Sequence, residues 1–464
     1  MFVIYLVCTI LFLIEEYIRL SYLGYTKTFV SEEAFLVFFL IASIGYLYKS
    51  RKRNLFCFET FFLVFSLLII FFDYFVLSVT PDAGLVGSLF NRYGDDTRFK
   101  TMYISTIATL LFILGSYVSD IKKRKKTSME SQQTILSNNI SVYGLQTVSK
   151  ILTTITLLYF GYLFVTGYVS SWFRYGSNSS SYVNTKVVYL TVLCLSSTVA
   201  QFAQCAGCTF DSVWSFVKKI DKSYLSLIGT VAFLLLISGN RSEALYIILP
   251  MLVCYSIIVK NITNKQFCFL FLSGFLLLVF IGLTRQTGVE NGVGGSLNFD
   301  LFKFTHDFGY ANIDSMYLIE DTDRNGFRGF NNGFVVLLSS VPFLGGFIVT
   351  IFGIEEFTRS AVATTEGMDI SYTGLGTSLI GDTYYTGGII FSIIFFYFLG
   401  RFMSYLHNRY YKDKIINIYS LPIYAFMFSN AIYCLRSEWY TSFRYIGFCI
   451  VVLYIVCHIK RKRI

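Results

Sequence analysis

The sequence predicts an all-α protein that crosses a membrane many times. Three observations carry that prediction. Of its 464 residues 55% are hydrophobic and only 14% charged, the mean hydropathy is +0.59, and the apolar residues fall in long runs parted by short polar loops. A chain solvated by water cannot bury so much apolar surface, whereas a chain solvated by lipid displays it at no penalty. Four prolines and the lack of any long polar stretch leave little room for a soluble domain, so a single integral membrane domain over 1–464 is expected.

About 20 apolar residues carry a helix through the hydrocarbon core, and about twelve transmembrane helices follow in order: 2–18, 34–48, 55–79, 102–118, 148–169, 187–204, 224–237, 244–259, 266–283, 384–403, 415–434 and 443–458. The first run lacks a basic leader and a small-residue cleavage site before Glu15 and Glu16, so it reads as a retained span. Basic clusters set the orientation. Lys49 to Arg53, Lys122 to Lys126, Lys218 to Lys222, Arg401 to Lys414 and Lys460 to Arg463 all fall on one side if the spans alternate, which puts both termini in the cytoplasm. A further apolar run, Phe334 to Phe352, would reverse that parity if it crossed. It is expected to be re-entrant or interfacial, broken at Pro342, inside a large external loop spanning 284–383.

The net charge of +10 is accounted for by this retention of cytoplasmic loops, and a nucleic-acid partner is not expected. The ten cysteines lie mostly within apolar runs; the lone Cys205-x-x-Cys208 is a weak metal or redox signal, and no metal site is expected. Residue type separates more sharply than total charge. The cytoplasmic side carries 16 Lys and 7 Arg, the external side 4 Lys and 11 Arg. Lysine is enough for topology, whereas the planar guanidinium fork grips phosphate or carboxylate and stays charged when partly desolvated. The external arginines therefore point to an anionic ligand, with pairing to lipid headgroups as the plainer alternative.

Three of them flank helix ends: Arg241, Arg285 and Arg436. Two share the tripeptide Arg-Ser-Glu, so Glu243 and Glu438 each follow a guanidinium by two residues; a diphosphate bound by the arginine while the glutamate orients it or accepts a proton competes with a self-satisfied ion pair. The external loop adds His306 and Asp307 as candidate bases and Arg324 and Arg328 as candidate substrate contacts. Asp321-Thr-Asp323 has the form of a nucleotide-sugar motif, but it lies on the wrong side of the membrane for such a donor. The stretch Gly374 to Gly388 leads into the next span with Asp382, Tyr384 and Tyr385 at the external mouth, suited either to stacking on a sugar or to close helix packing.

Ser238-Gly-Asn-Arg-Ser-Glu243 between middle spans, Val341-Pro342 in the large loop, Gly374-x-Gly-x-Ser378 before Asp382-x-Tyr384-x-x-Gly387, and the late Leu435-Arg436 together resemble the Wzy-type O-antigen and capsular polysaccharide polymerases. The likeness runs from about Leu225 to Arg444. Family members often carry Glu in the acidic place and then Asn-Phe-Gly; this chain has Asp382 and Tyr385-Thr386-Gly387. The resemblance implies a membrane-embedded, GT-C-like glycosyltransferase of the bacterial inner membrane, inverting and without metal or cofactor. Its substrate would be an undecaprenyl-diphosphate-linked oligosaccharide, polymerised at the periplasmic face beside a chain-length regulator and a repeat-unit flippase. Arg241, Arg285 and Arg436 would grip the diphosphate, with Glu243, His306, Asp307, Asp382 or Glu438 as base or orienting group. An O-antigen ligase, a flippase or transporter of the same unit, and an assembly scaffold are the alternatives.

Overall fold

The computed structural model describes residues 1–24, 30–49, 54–72, 74–76, 89–124, 142–172, 185–206, 208, 210, 212–238, 240–286, 301–327, 351, 360–368 and 377–461. Of these, only the backbone is described at 122–124, 142–143, 171, 185, 241, 275, 277–286, 301–309 and 459–461. The regular elements among them are helices: α1 (Phe2–Leu23), α2 (Glu32–Lys49), α3 (Phe58–Ser66), α4 (Asp95–Arg124), α5 (Val142–Val165), α6 (Thr185–Ala203), α7 (Val213–Lys219), α8 (Lys222–Ile237), α9 (Arg241–Ile258), α10 (Asn264–Gln286), α11 (Leu301–Asn325), α12 (Ser360–Gly367), α13 (Leu379–Tyr411), α14 (Leu421–Asn430) and α15 (Thr441–Arg461). A helix occupies part of each of the twelve apolar segments. Among the described residues, six stretches are long and apolar enough to cross a membrane by length and composition, Phe58–Val76, Asp95–Ile121, Gly144–Val165, Lys186–Ala203, Leu379–Tyr411 and Thr441–His458, and a seventh is added if α7 and α8, bent by 104°, count as one.

Local sequence starts and stops these helices where capping chemistry allows. Asp221 accepts from the Ser223 N–H (2.9 Å) to open α8, Ser212 and Ser215 form a reciprocal capping box on α7, and Gly24 closes α1 with φ of 80°. Cys205 and Cys208 go separate ways, Cys205 toward the Gln201 carbonyl (3.6 Å) and Cys208 toward Lys219 (2.8 Å).

Hydrogen bonds between helix ends sort into two sets. At one end Asp120 accepts from Ser404 (3.0 Å) and Asn408 (2.8 Å), His407 meets the Tyr424 hydroxyl (2.8 Å), and Tyr411 donates to Ser256 (2.9 Å). At the other, Tyr17 meets Tyr384 (3.1 Å), and Thr191 and Tyr445 both donate to Glu243 (3.0 and 2.9 Å). Every one of these bonds joins ends that the alternating topology places on the same side. The second set marks the outer end of the molecule, the one that the basic clusters assign to the exterior.

The tightest helix pair is α4 with α13. A Cβ on Gly400 would lie 2.1 Å from the Phe112 carbonyl oxygen and one on Gly115 2.1 Å from that of Tyr397, so the two backbones touch, and the Ser116 hydroxyl donates to the Gly400 carbonyl (3.1 Å). Lipid supplies no hydrophobic drive between helices, so small residues and interhelical hydrogen bonds hold such pairs together.

Two of the described helices, α11 and α12, lie inside the stretch expected to form the large loop. Residues 301–325, expected to be part of an external loop, form α11, which packs into the outer end. Asn312 donates to the carbonyls of Ile69 (3.0 Å) and Ile70 (3.2 Å), which belong to a π-helical stretch, Leu67–Phe72, that continues α3. A π turn leaves a backbone carbonyl without its i+4 partner, and Asn312 fills that deficit. The expected re-entrant or interfacial run at 334–352 lies outside the described residues save for the exposed Ile351.

Gly400→Ala is expected to force α4 and α13 apart and destabilise the protein by about 1–3 kcal/mol. Gly161→Ala, where nothing stands within 4 Å, is the matched control. Thermal unfolding of the detergent-solubilised variants checks this: equal midpoints would show that the glycine contact does not matter.

Candidate functional site

The outer end gathers three pieces of chain: the turn between α14 and α15, the first turns of α13, and the middle of α11. The first piece follows Asn430, which accepts from the Tyr246 hydroxyl (2.8 Å). The chain then makes a short 3-10 turn, Cys434–Arg436, and runs to Trp439. Two contacts pin it there. The Trp439 backbone N–H donates to Asp382 Oδ2 (2.8 Å) and its indole N–H to the Thr386 hydroxyl (3.3 Å). Glu438, itself buried, accepts from the Ala361 N–H at the start of α12 (3.5 Å).

Between these anchors stands Arg436. It is half-buried, and its guanidinium makes no hydrogen bond or ion pair with any described residue. A charge held in place on a fixed turn, without a partner of its own, is preorganised for an anionic ligand.

The second piece is the N-terminal part of α13. Ser378 caps it, accepting from the Gly381 N–H (3.5 Å), and receives the Ser315 hydroxyl of α11 (2.6 Å). Gly381 lets α11 approach: a Cβ there would lie 3.0 Å from Ser315 Cα. This contact sets the third piece, because Asp314 precedes Ser315.

Asp314 is 1% exposed, and neither of its carboxyl oxygens has a hydrogen-bond partner among the described residues. Burial pushes its carboxyl well above the usual carboxylate range, while the positive charge of Arg436 pulls in the opposite direction. The two groups thus feel each other, yet no ion pair joins them. A buried carboxyl left without donors among the described residues is expensive, which makes Asp314 a candidate site residue.

The residues singled out from sequence meet different fates. Arg436, Asp382 and Glu438 come together at the 434–440 turn. Glu243 lies at the same end, with one oxygen taken by Tyr445 and the other by Thr191. It thereby ties the first turn of α9, where Arg241 stands, to the start of α15. Tyr246 of α9 in turn packs on Tyr433, ring centroids 6.2 Å apart, so the backbone of Arg241 lies in the neighbourhood of the Arg436 turn.

Arg285 sits in the last turn of α10. The described contacts of that helix, Phe267 and Phe271 against Phe56, Phe61 and Phe65, are at its other end, so nothing described brings Arg285 to Arg436. His306 and Asp307 lie in the opening turns of α11, N-terminal to Asp314 by two helical turns or slightly more, with only their backbone described. Arg328 lies outside the described residues.

Arg324 is engaged by Glu320 one turn earlier, on an exposed face, an arrangement of little electrostatic consequence. Tyr384 and Tyr385 do not offer faces to a sugar. Both are 3% exposed, and the Tyr384 hydroxyl is held by Tyr17 and by Asp323 Oδ1 (3.0 Å). Asp323 also takes Lys100 (2.6 Å), so this cluster locks α11 to α1, α4 and α13.

Asp314 escaped the sequence reading because α11 is amphipathic and too polar on one face to stand out by hydropathy. Its signal is a lone acid among Ala311, Ile313, Met316 and Ile319, the apolar positions of one helix.

Removing Asp382 should release the 434–440 turn. Asp382→Ala leaves the Trp439 N–H without its acceptor, at a cost of about 1–3 kcal/mol, whereas Asp382→Asn keeps an acceptor oxygen. Amide hydrogen exchange at Trp439 is expected to accelerate by roughly 10-fold or more in the alanine variant and to stay near the parent in the asparagine variant. Unchanged exchange in both would show that Asp382 does not hold the turn.

Residues 1–463, essentially the whole chain, match the family described as O-antigen polysaccharide polymerase Wzy. No curated relative and no solved structure matches the chain. The family acts within a membrane on lipid-linked oligosaccharide repeat units and joins them into polysaccharide. The chain belongs to the O-antigen polysaccharide polymerase Wzy family.

Proposed function

We propose that this chain polymerises undecaprenyl-diphosphate-linked oligosaccharide repeat units at the periplasmic face of the bacterial inner membrane, by an inverting, GT-C-like glycosyl transfer. The growing chain or unit on one lipid donates its reducing-end sugar, a hydroxyl at the nonreducing end of another unit attacks, and the lipid diphosphate departs. The observation that carries this reading is Arg436: a guanidinium without a partner among the described residues, on a turn whose backbone is fixed by Asp382 and Thr386.

The leaving diphosphate gathers negative charge in the transition state. A cation already in position stabilises that charge without reorganising, which is the most effective form of electrostatic help. Arg241, at the start of α9 in the same neighbourhood, supplies a second cation, and the arginine-rich, lysine-poor character of the outer loops supports an anionic ligand on that side. The lysine-rich clusters support cytoplasmic termini. A flippase delivering the units and a separate chain-length regulator are the partners this reading implies.

In the native host, Arg436→Ala is expected to leave single repeat units on the lipopolysaccharide core and to abolish the ladder of longer chains. Arg436→Lys, which keeps charge but loses the bidentate fork, should give a ladder reduced by roughly 10-fold or more. Arg241→Ala should shorten or abolish the ladder as well. A glycan gel reads all three. A normal ladder from Arg436→Ala would remove Arg436 from the mechanism, and loss of the single-unit band too would favour a ligase over a polymerase.

A further inference from the structure

We propose that Asp314 is the catalytic base, the group that takes the proton from the attacking sugar hydroxyl. This assignment rests on the polymerase reading above and adds to it the residue that activates the acceptor.

Among the described residues, four other buried or half-buried carboxylates at the outer end are each engaged, and Glu32, Glu320 and Asp321 are likewise held by Tyr74, Arg324 and Asn325. Glu16 pairs with Arg19 (3.4 Å), Glu243 accepts from Thr191 and Tyr445, Asp382 holds the Trp439 N–H, and Glu438 accepts from Ala361. A carboxylate oxygen already occupied by protein donors has less lone-pair capacity to offer an incoming hydroxyl. Asp314 differs from all four: it is fully buried, and both its oxygens are without donors among the described residues. No structural duty is visible for it, whereas its neighbours Asn312 and Ser315 are occupied with the π stretch after α3 and with Ser378.

Position supports the assignment as well. Asp314 and Arg436 sense each other electrostatically without forming an ion pair. In an inverting displacement the leaving group and the attacking hydroxyl lie on opposite sides of the anomeric carbon, so the base and the cation that holds the leaving group must be near but apart. A carboxyl and a guanidinium that do not close into an ion pair meet that requirement; a closed salt bridge would not. Burial raises the proton affinity of the carboxyl, and the positive charge of Arg436 opposes that rise.

In this step the acceptor oxygen forms a bond to the anomeric carbon as its O–H bond breaks, and the proton passes to the Asp314 carboxylate. The bond between the anomeric carbon and the diphosphate oxygen breaks, and its electron pair leaves with the lipid diphosphate, whose added negative charge faces Arg436. Asp314 then returns its proton to solvent, and the balance of atoms and electrons is complete without an oxidant or reductant.

The test uses the full-length protein in proteoliposomes with purified lipid-linked repeat units, with and without sodium azide. Azide is a nucleophile that carries no proton to be removed, so it bypasses a missing base. Asp314→Ala is expected to lower polymer formation by on the order of 100-fold or more. Added azide should then restore release of lipid diphosphate and yield a glycosyl azide of inverted anomeric configuration, which a merely structural defect would not allow. Arg436→Ala should give neither polymer nor glycosyl azide.

Should Asp314→Ala fail to fold, Asp314→Asn, nearly identical in shape and uncharged, carries the same comparison. Polymer formation within about threefold of the parent by either variant overturns the assignment, as does an inactive, folded variant that azide does not rescue. A parent protein that makes no polymer from these units would instead sink the polymerase reading itself, so the two failures are distinguishable.

Discussion

The break in α13 at Gly387 and Gly388 is the constraint on which the outer end depends. Gly388 adopts φ of 67° and ψ of −163°, a conformation essentially closed to residues with a side chain, and a Cβ there would also strike the Phe327 ring at 2.6 Å. Because the helix bends at this point, its first turns can leave the line of the long span that follows. They carry Ser378 to α11 and Asp382 to the Arg436 turn. The break separates the segment that carries both contacts, to Ser315 and to the Trp439 N–H, from the long span that packs on α4.

The polar chemistry of the outer end divides between groups that hold the structure and groups that are left free to act. Arg19 is engaged by Glu15 and Glu16, Arg98 by Asp95, and Arg324 by Glu320. These are local pairs within a helix, of small energetic weight, and they account for part of the external arginine excess without any ligand. Glu243, Asp382, Glu438 and Asp323 serve as acceptors that stitch separate helices together. Where α11, α13 and the 434–440 turn meet, one guanidinium and one carboxyl remain uncommitted among the described residues, contributed by segments far apart in sequence. The proposed reaction would use that division: a leaving diphosphate is best met by a cation already in place, and an attacking hydroxyl by a base that is not already committed.

Much of this is legible in the sequence itself. A helix occupies part of each expected apolar segment, and six stretches among the described residues reach the length that a bilayer demands. Arg436 and Asp382 stand out through their local motifs, and the family follows from those motifs together with the pattern of spans. Such signals are local: each is written in consecutive residues and needs no knowledge of what lies opposite.

The tertiary structure alone decided which polar residues are engaged. Tyr384 and Tyr385 sit at the external mouth in sequence, yet packing of α1, α4 and α11 buries them and turns Tyr384 into part of a latch. Arg324 is consumed by a neighbour one turn away. Asp314 can be recognised only with α11 inserted in the bundle, because what sets it apart is burial without donors among the described residues and a charge supplied from beyond α14. Hydropathy and motif record what a residue is, whereas desolvation and the geometry of partners determine what it is able to do, and those depend on segments that chain order keeps apart.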